Sequence, residues 1–264
     1  MSRAPRAVEL FLSLGMVAVI GSPLVAAPEV RAQHLHEPQP SQLSQGGEGG
    51  EGGEAGHSQV VSTDAEVLVV LAQMQGHLVV AQELLSRGDS QGAEPHVGHP
   101  VDELYGSLEA VITSGRLHPF RDTLEVLRQQ VRLAPTSPGT AQKLAKAQQT
   151  LQAATATVAP SLNRQPQLLL AVTRQLALSA ASEYEGAVAD DRIAETIEYQ
   201  DARGFLLQAR RLLSQAIAAN PASAANLEQA LSRIEAMLKA FPSPVPPKRT
   251  VLSVSRLKTL ASSI

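Results

Sequence analysis

His77, His96, His99, Glu103, Glu183, Glu198 and Asp201 carry groups that titrate or ligate metals, on segments whose pattern calls for apolar residues. His77 follows Met74 by three residues and precedes Leu78, beside the apolar stripe Val67, Val70, Met74, Leu78, Ala81, Leu85. His96, His99 and Glu103 are spaced by three and four, so a helix puts them on one face. His77 and His99 lie equally far from Gly88, and an antiparallel hairpin turning there sets them at similar height. Glu183 continues the stripe Leu169, Val172, Leu176, Ala180, while Glu198 and Asp201 continue Phe205, Ala209, Leu212. Glu183 and Glu198 flank a turn at Asp191 almost symmetrically. Buried carboxylates need protons, arginines or a cation. Carboxylates and imidazoles facing inward from neighbouring helices are a bundle's means of holding iron or manganese. The competing reading is a structural polar core, in which Arg174, Arg192, Arg203 and Arg210 pair with these acids and Tyr105, Tyr184 and Tyr199 hydrogen-bond to them.

The elements that must position these groups read as helices throughout. Thr63 and Glu66 form a capping-box pattern that starts a first helix, and Arg87-Gly88-Asp89 stops it. A helical turn over 93–99 and a helix from Pro100 to about Ser114 follow, then helices over about 119–133 and 138–158. Further helices are expected over about 166–189, 194–219 and 223–240, broken at Pro160, Asp190-Asp191 and Asn220-Pro221. Residues 251–260 read as a frayed helix or a strand, and no other segment reads as a strand. The expected fold is all-α: an up-and-down bundle of about six to seven helices built from two helical hairpins, over residues 62–242. Residues 243–264, with Pro244, Pro246, Pro247, Lys248 and Arg249, read as a Pro-rich basic tail outside it.

The N-terminal part has another character. Arg3 and Arg6 precede a largely apolar run from Val8 to Ala27, and Val30-Arg31-Ala32 sets small residues three before and one before the bond to Gln33. This is the pattern of a signal peptide over 1–32, and it predicts a periplasmic or secreted protein. Residues 33–61, rich in Gly, Glu and Pro, read as a disordered linker. Within it, His34 and His36 read as part of a solvated tail, with loose capture of a metal as the alternative.

Composition excludes several classes of function. The chain has no cysteine, which removes disulfides, thiolate metal sites and lipid attachment through a thiol. A net charge of −3, with aromatic residues at 3%, gives no footprint for nucleic acid. No nucleophile elbow, phosphate loop, dinucleotide fingerprint or His-Glu-x-x-His is present. No enzyme activity and no small-molecule cofactor are therefore expected.

Two stretches carry a family resemblance. GHLVVAQELLSRGDSQGAEPHVGHPVDELY and EYEGAVADDRIAETIEYQDARGFL resemble the extracytoplasmic helical domain of bacterial high-affinity iron permeases. They are more loosely similar to imelysin and EfeO-type periplasmic iron-uptake proteins. The resemblance spans about residues 70–215. It implies a metal-binding or metal-delivery protein handling a metal ion, iron, outside the inner membrane, with an inner-membrane metal transporter as partner. Carried onto this sequence, it points to His77, His96, His99, Glu183 and Glu198. The permeases' Arg-Glu-Gly-x-Glu motif is absent, so transport itself falls to the partner. The alternative is a metal-free helical module that docks on a membrane protein.

Overall fold

The computed structural model describes residues 61–221 and 224–264. The expected signal peptide and nearly all of the expected linker, including His34, His36 and His57, lie outside the described residues.

Helix α1 (Asp64–Ser86) starts at the expected capping box. Thr63 Oγ1 accepts from Glu66 N, and the Glu66 carboxylate accepts from the backbone amides of Ser62 and Thr63, both at 2.9 Å. Those amides hold the Glu66 carboxyl down at about 2. Gly88, at φ 79°, turns the chain into α2 (Ser90–His99), whose first turn is capped by Asp89. Two prolines interrupt the helical hydrogen-bond ladder here, Pro95 inside α2 and Pro100 just after it. A proline cannot donate to the preceding turn and crowds its carbonyl. The chain accommodates Pro100 by widening to a π-turn over Pro100–Leu104, with Tyr105 N donating to Pro100 O. It then tightens through Tyr105–Leu108 into α3 (Glu109–Thr113). The sequence reads this region as a turn plus a separate helix. It is instead one continuous, distorted helical path. Helices α4 (Arg121–Leu133) and α5 (Pro138–Val158) complete the N-terminal half.

Helices α6 (Pro166–Ala187) and α7 (Thr196–Ala219) form the second long hairpin. Asp190 and Asp191 take positive φ at 50° and 57°, and the chain reverses through a two-residue antiparallel ladder pairing Val188 with Ile193 and Ala189 with Arg192. That pairing is the one departure from an all-helical reading among the described residues. Helix α8 (Ala225–Leu238) follows, and α9 (Val254–Ser262) closes the chain.

Residues 243–264 do not stand apart from the bundle. Leu257 and Ala261 are fully buried, and α9 packs on α6 and α8. The physical reason lies in the neighbouring hairpin. Tyr184 and Tyr199 are buried and need acceptors for their hydroxyls. The proline-rich stretch cannot form a helix, so its carbonyls are free to accept. Tyr199 Oη donates to Ser243 O at 3.0 Å, Gln200 Nε2 to Pro244 O at 2.9 Å and Tyr184 Oη to Leu252 O at 2.8 Å. The tyrosines are thus tied to backbone and not to the acids beside them in sequence.

Two hydrophobic cores share α1. One lies among α6, α7, α8 and α9 and takes in Leu68 and Ala72 of α1. The other joins the rest of α1 to α2, α4 and α5. A helix buried on all sides must be apolar on all sides. That explains why α1 is the one described helix long and apolar enough to cross a membrane, while 72% of its most apolar window is buried against the protein.

Candidate metal centre

The site is set by the crossing of α1 and α7. Gly76 and Gly204 meet backbone to backbone there: a Cβ placed on Gly204 would lie 2.5 Å from Gly76 O. Glycine at both positions lets the helices approach more closely than any side chain permits. His77 follows Gly76, and Asp201 precedes Gly204 by one turn, so the close crossing drives the imidazole and the carboxylate together. Asp89 caps α2, which packs on α1 and touches α7, so that His96 and His99, one turn apart, reach the same point.

Three imidazoles converge on one carboxylate. His77 Nδ1 is 2.7 Å and His96 Nδ1 2.8 Å from Asp201 Oδ1, and His99 Nδ1 is 3.2 Å from Asp201 Oδ2. His77, His96 and Asp201 are buried, and the His99 side chain is 19% exposed. One potential ligand atom from each of the four residues lies within 4.8 Å of the others. Ligands sharing one cation with bonds near 2 Å lie roughly 3–4 Å apart, so small side-chain adjustments close the set. Phe205 packs edge-on against His77, with ring centroids 5.1 Å apart, and holds that ring in place.

Hydrogen bonding fixes how His96 presents itself. Gln200 Nε2 donates to Pro244 O, so Gln200 Oε1 is the atom 2.8 Å from His96 Nε2. His96 must therefore carry a hydrogen on Nε2. Its Nδ1 then faces the Asp201 oxygen either as a second donor or as a lone pair with a cation between them. A histidine whose distal nitrogen is held this way is how metal sites fix their tautomer. The Nδ1 atoms of His77 and His99 are buried and have only Asp201 as partner, at hydrogen-bond distance but in poor alignment. Buried polar atoms without well-aligned partners are costly, and a shared cation satisfies such a set.

Electrostatics divide the roles. Burial pushes the His77 imidazole below its usual range despite the Asp201 charge, which favours the neutral, ligating form. Burial works the same way on His99, but contact with Asp201 and the charges of Glu103 and Glu183 outweigh it and raise this group. Burial would raise Asp201, but the three histidines hold it well below the usual carboxylate range.

Glu103, Glu183 and Glu198 do not join the four-residue cluster. Together with Gln73, they line a cavity of about 280 Å³ that opens outward from His77, His99 and Asp201. Glu103 Oε1 is 3.6 Å from His99 Nε2, at the exposed rim. Burial raises Glu183 to about 7, reinforced by the charges of Asp201, Glu198 and Glu103. The arginine pairing expected of a structural polar core is not made: Arg203 binds Glu83 in bidentate fashion at 2.7 and 2.8 Å and also donates to Phe241 O. Among the described residues, neither Glu183 nor Glu198 has an ion-pair partner. The sequence pattern assigns no role to Gln200, Gly76 or Gly204 and reads Phe205 only as part of an apolar stripe. A small signal existed in Gly76, which interrupts an apolar helix one residue before a histidine.

Comparison with known proteins bears on the C-terminal part of the chain, which supplies Asp201, Glu183 and Glu198. Residues 159–264 match the iron permease-associated 4-helix bundle domain. No curated protein and no solved structure matches the chain. The iron permease resemblance therefore holds for α6 to α9, while the looser likeness to imelysin and EfeO-type proteins has no counterpart in the match. The matched stretch begins later than the sequence resemblance and runs to Ile264, in keeping with α9 docking into the bundle. The match relates this stretch to iron permeases. The iron permease-associated bundle alone holds only the carboxylate side of the centre, and all three histidines lie before residue 159.

Proposed function

We propose that this chain binds a first-row transition-metal cation, iron as cargo, between His77, His96, His99 and Asp201, and delivers it outside the cytoplasm to a membrane permease. The observation that carries the reading is the convergence of three Nδ1 atoms on the two oxygens of one buried carboxylate, with the His96 tautomer fixed by Gln200. Three imidazoles and a carboxylate suit ferrous iron as well as zinc, copper or nickel. The family relationship of residues 159–264 favours iron among these. Glu103, Glu183 and Glu198 give the cavity a negative mouth that concentrates cations. An extracytoplasmic setting follows from the signal-peptide pattern over 1–32 and suits delivery to a permease.

A metal-free polar core is the competing reading. It accounts for the contacts of His77 and His99 with Asp201 but leaves Glu183 with no ion-pair partner among the described residues and gives no reason for three imidazoles to crowd one carboxylate. Anaerobic calorimetry with ferrous, zinc and cupric ions on metal-free protein separates the two. One site per chain is expected, with protons released on binding because ligating nitrogens must be unprotonated. Equal affinity in a His77→Ala, His99→Ala double variant would rule the centre out.

A further inference from the structure

A second cavity, of about 480 Å³, lies between the end of α5, the loop over 159–164 and the C-terminal half of α7. Gln75 of α1 is part of its wall, and so are Gln208 and Arg211 of α7. Gln208 follows Asp201 by seven residues, roughly 10 Å along the helix at 1.5 Å per residue. The cavity shares no residue with the metal centre.

A one-way relay of amides runs through its wall. Thr155 Oγ1 donates to Leu151 O at 2.9 Å, Gln75 Nε2 donates to Thr155 Oγ1 at 3.1 Å and Gln208 Nε2 donates to Gln75 Oε1 at 2.9 Å. The Leu151 carbonyl sets the direction, so Gln208 must spend its amino group on Gln75. Gln208 Oε1 is left buried with no donor, on a residue only 1% exposed. A buried acceptor of this kind is stabilised by any ligand that brings it an O–H or N–H.

The rest of the wall is cationic and amide-rich. Arg211 and Arg164 both line the cavity, along with the exposed amides Gln152 and Gln215. Arg164 donates to Ser161 Oγ at 2.9 Å, and neither arginine has a carboxylate partner among the described residues. No Asp or Glu among the described residues lines the cavity. This is the opposite charge character to the acidic mouth of the metal centre. Two guanidinium forks without carboxylate partners among the described residues match carboxylates in geometry, and the orphaned acceptor asks for a hydroxyl.

We propose that this cavity binds a small hydroxy-polycarboxylate: carboxylates on Arg211 and Arg164, and a hydroxyl donating to Gln208 Oε1. The inference stands independently of the metal reading.

Citrate and tricarballylate form a matched pair of probes, since they differ only in the hydroxyl. Calorimetry and thermal unfolding on metal-free protein should show citrate binding and raising the melting temperature, with tricarballylate about tenfold weaker for want of one hydrogen bond. Arg211→Gln, at a half-exposed position, should keep the native far-ultraviolet circular dichroism and weaken citrate about tenfold or more. Arg164→Gln should act the same way. The His77→Ala, His99→Ala variant should bind citrate as the parent does. No response to millimolar citrate, or the same affinity in Arg211→Gln and Arg164→Gln, would overturn the proposal. So would tricarballylate or inorganic phosphate binding as tightly as citrate, which would mean a general anion patch.

Discussion

Replacing Gly204 with alanine tests whether the crossing of α1 and α7 sets the centre. The new Cβ would sit 2.5 Å from Gly76 O and 2.9 Å from both Gly76 C and Val80 Cγ2. Ordinary contact begins at 3.4 Å, so the helices must part locally by about 1 Å, since backbone cannot rotate aside as a side chain can. Overpacking of this kind costs about 1–3 kcal/mol. Alanine's better helix propensity returns up to about 1 kcal/mol. A net loss of about 1–2 kcal/mol is expected, read as a lower urea midpoint at constant m. The same parting would stretch the 2.7 Å approach of His77 to Asp201 out of direct contact. Metal affinity should therefore fall about tenfold or more, as it does when the support of a ligand is disturbed. Gly186→Ala is the control. Its Cβ would meet nothing nearer than Glu198 Cγ at 4.0 Å, so stability should hold or rise slightly. A Gly204→Ala protein as stable as the parent, with unchanged metal affinity, would refute the reasoning.

Glu183 should make the metal-free protein less stable as pH rises. Its folded value of about 7 exceeds the ordinary 4.5, so the native state holds the extra proton between those limits and stability falls across that window. Glu183→Gln should flatten the slope between pH 4.5 and about 7 in denaturant titrations. Asp201 acts in the opposite sense: its contribution, present above the ordinary carboxylate range, should be lost under strongly acid conditions, and Asp201→Asn should remove that acid-limb dependence. Truncation after residue 242 should abolish cooperative unfolding, because it strips the acceptors from Tyr184, Tyr199 and Gln200 and uncovers the face that Leu257 and Ala261 bury. A truncated chain with a sharp, parent-like thermal transition would show that the docked segment is dispensable.

Local pattern carried most of the helix assignment and little of what joins the helices. The capping box at Thr63, the stop at Gly88 and the proline-started helices at 138 and 166 are decided within a few residues, and the structure places them as expected. Glu183 and Asp201 could be marked as chemical because each occupies a slot where helical periodicity asks for an apolar residue, and His77 because it lies beside such a stripe. Gly76 and Gly204, by contrast, are unremarkable alone. Their meaning arises only when helices more than 120 residues apart in sequence cross. The same holds for Gln200, whose neighbour is a proline carbonyl beyond the expected end of the bundle. The Pro-rich tail looked solvated because its composition cannot form a long helix, yet its free carbonyls are what buried tyrosines require.

The division of the centre between the two halves bears on how it could work. Asp201, Gln200, Glu183 and Glu198 sit on the α6–α7 hairpin within the matched residues 159–264, while His77, His96, His99 and the rim acid Glu103 lie before them. Neither half alone offers four ligands. Separating α2 from α7 would leave the carboxylates and withdraw two of three imidazoles, and α2 is followed directly by the widened turn at Pro100. Helix distortions of this type favour local rearrangement and recur at functional sites. The least buried of the four ligands, His99, adjoins that turn and already has its second nitrogen directed at Glu103 on the rim. A path for a cation from Asp201 through His99 to Glu103 therefore follows the gradient of exposure, and His99 is the ligand whose loss should alter the rate of metal release more than the loss of buried His96.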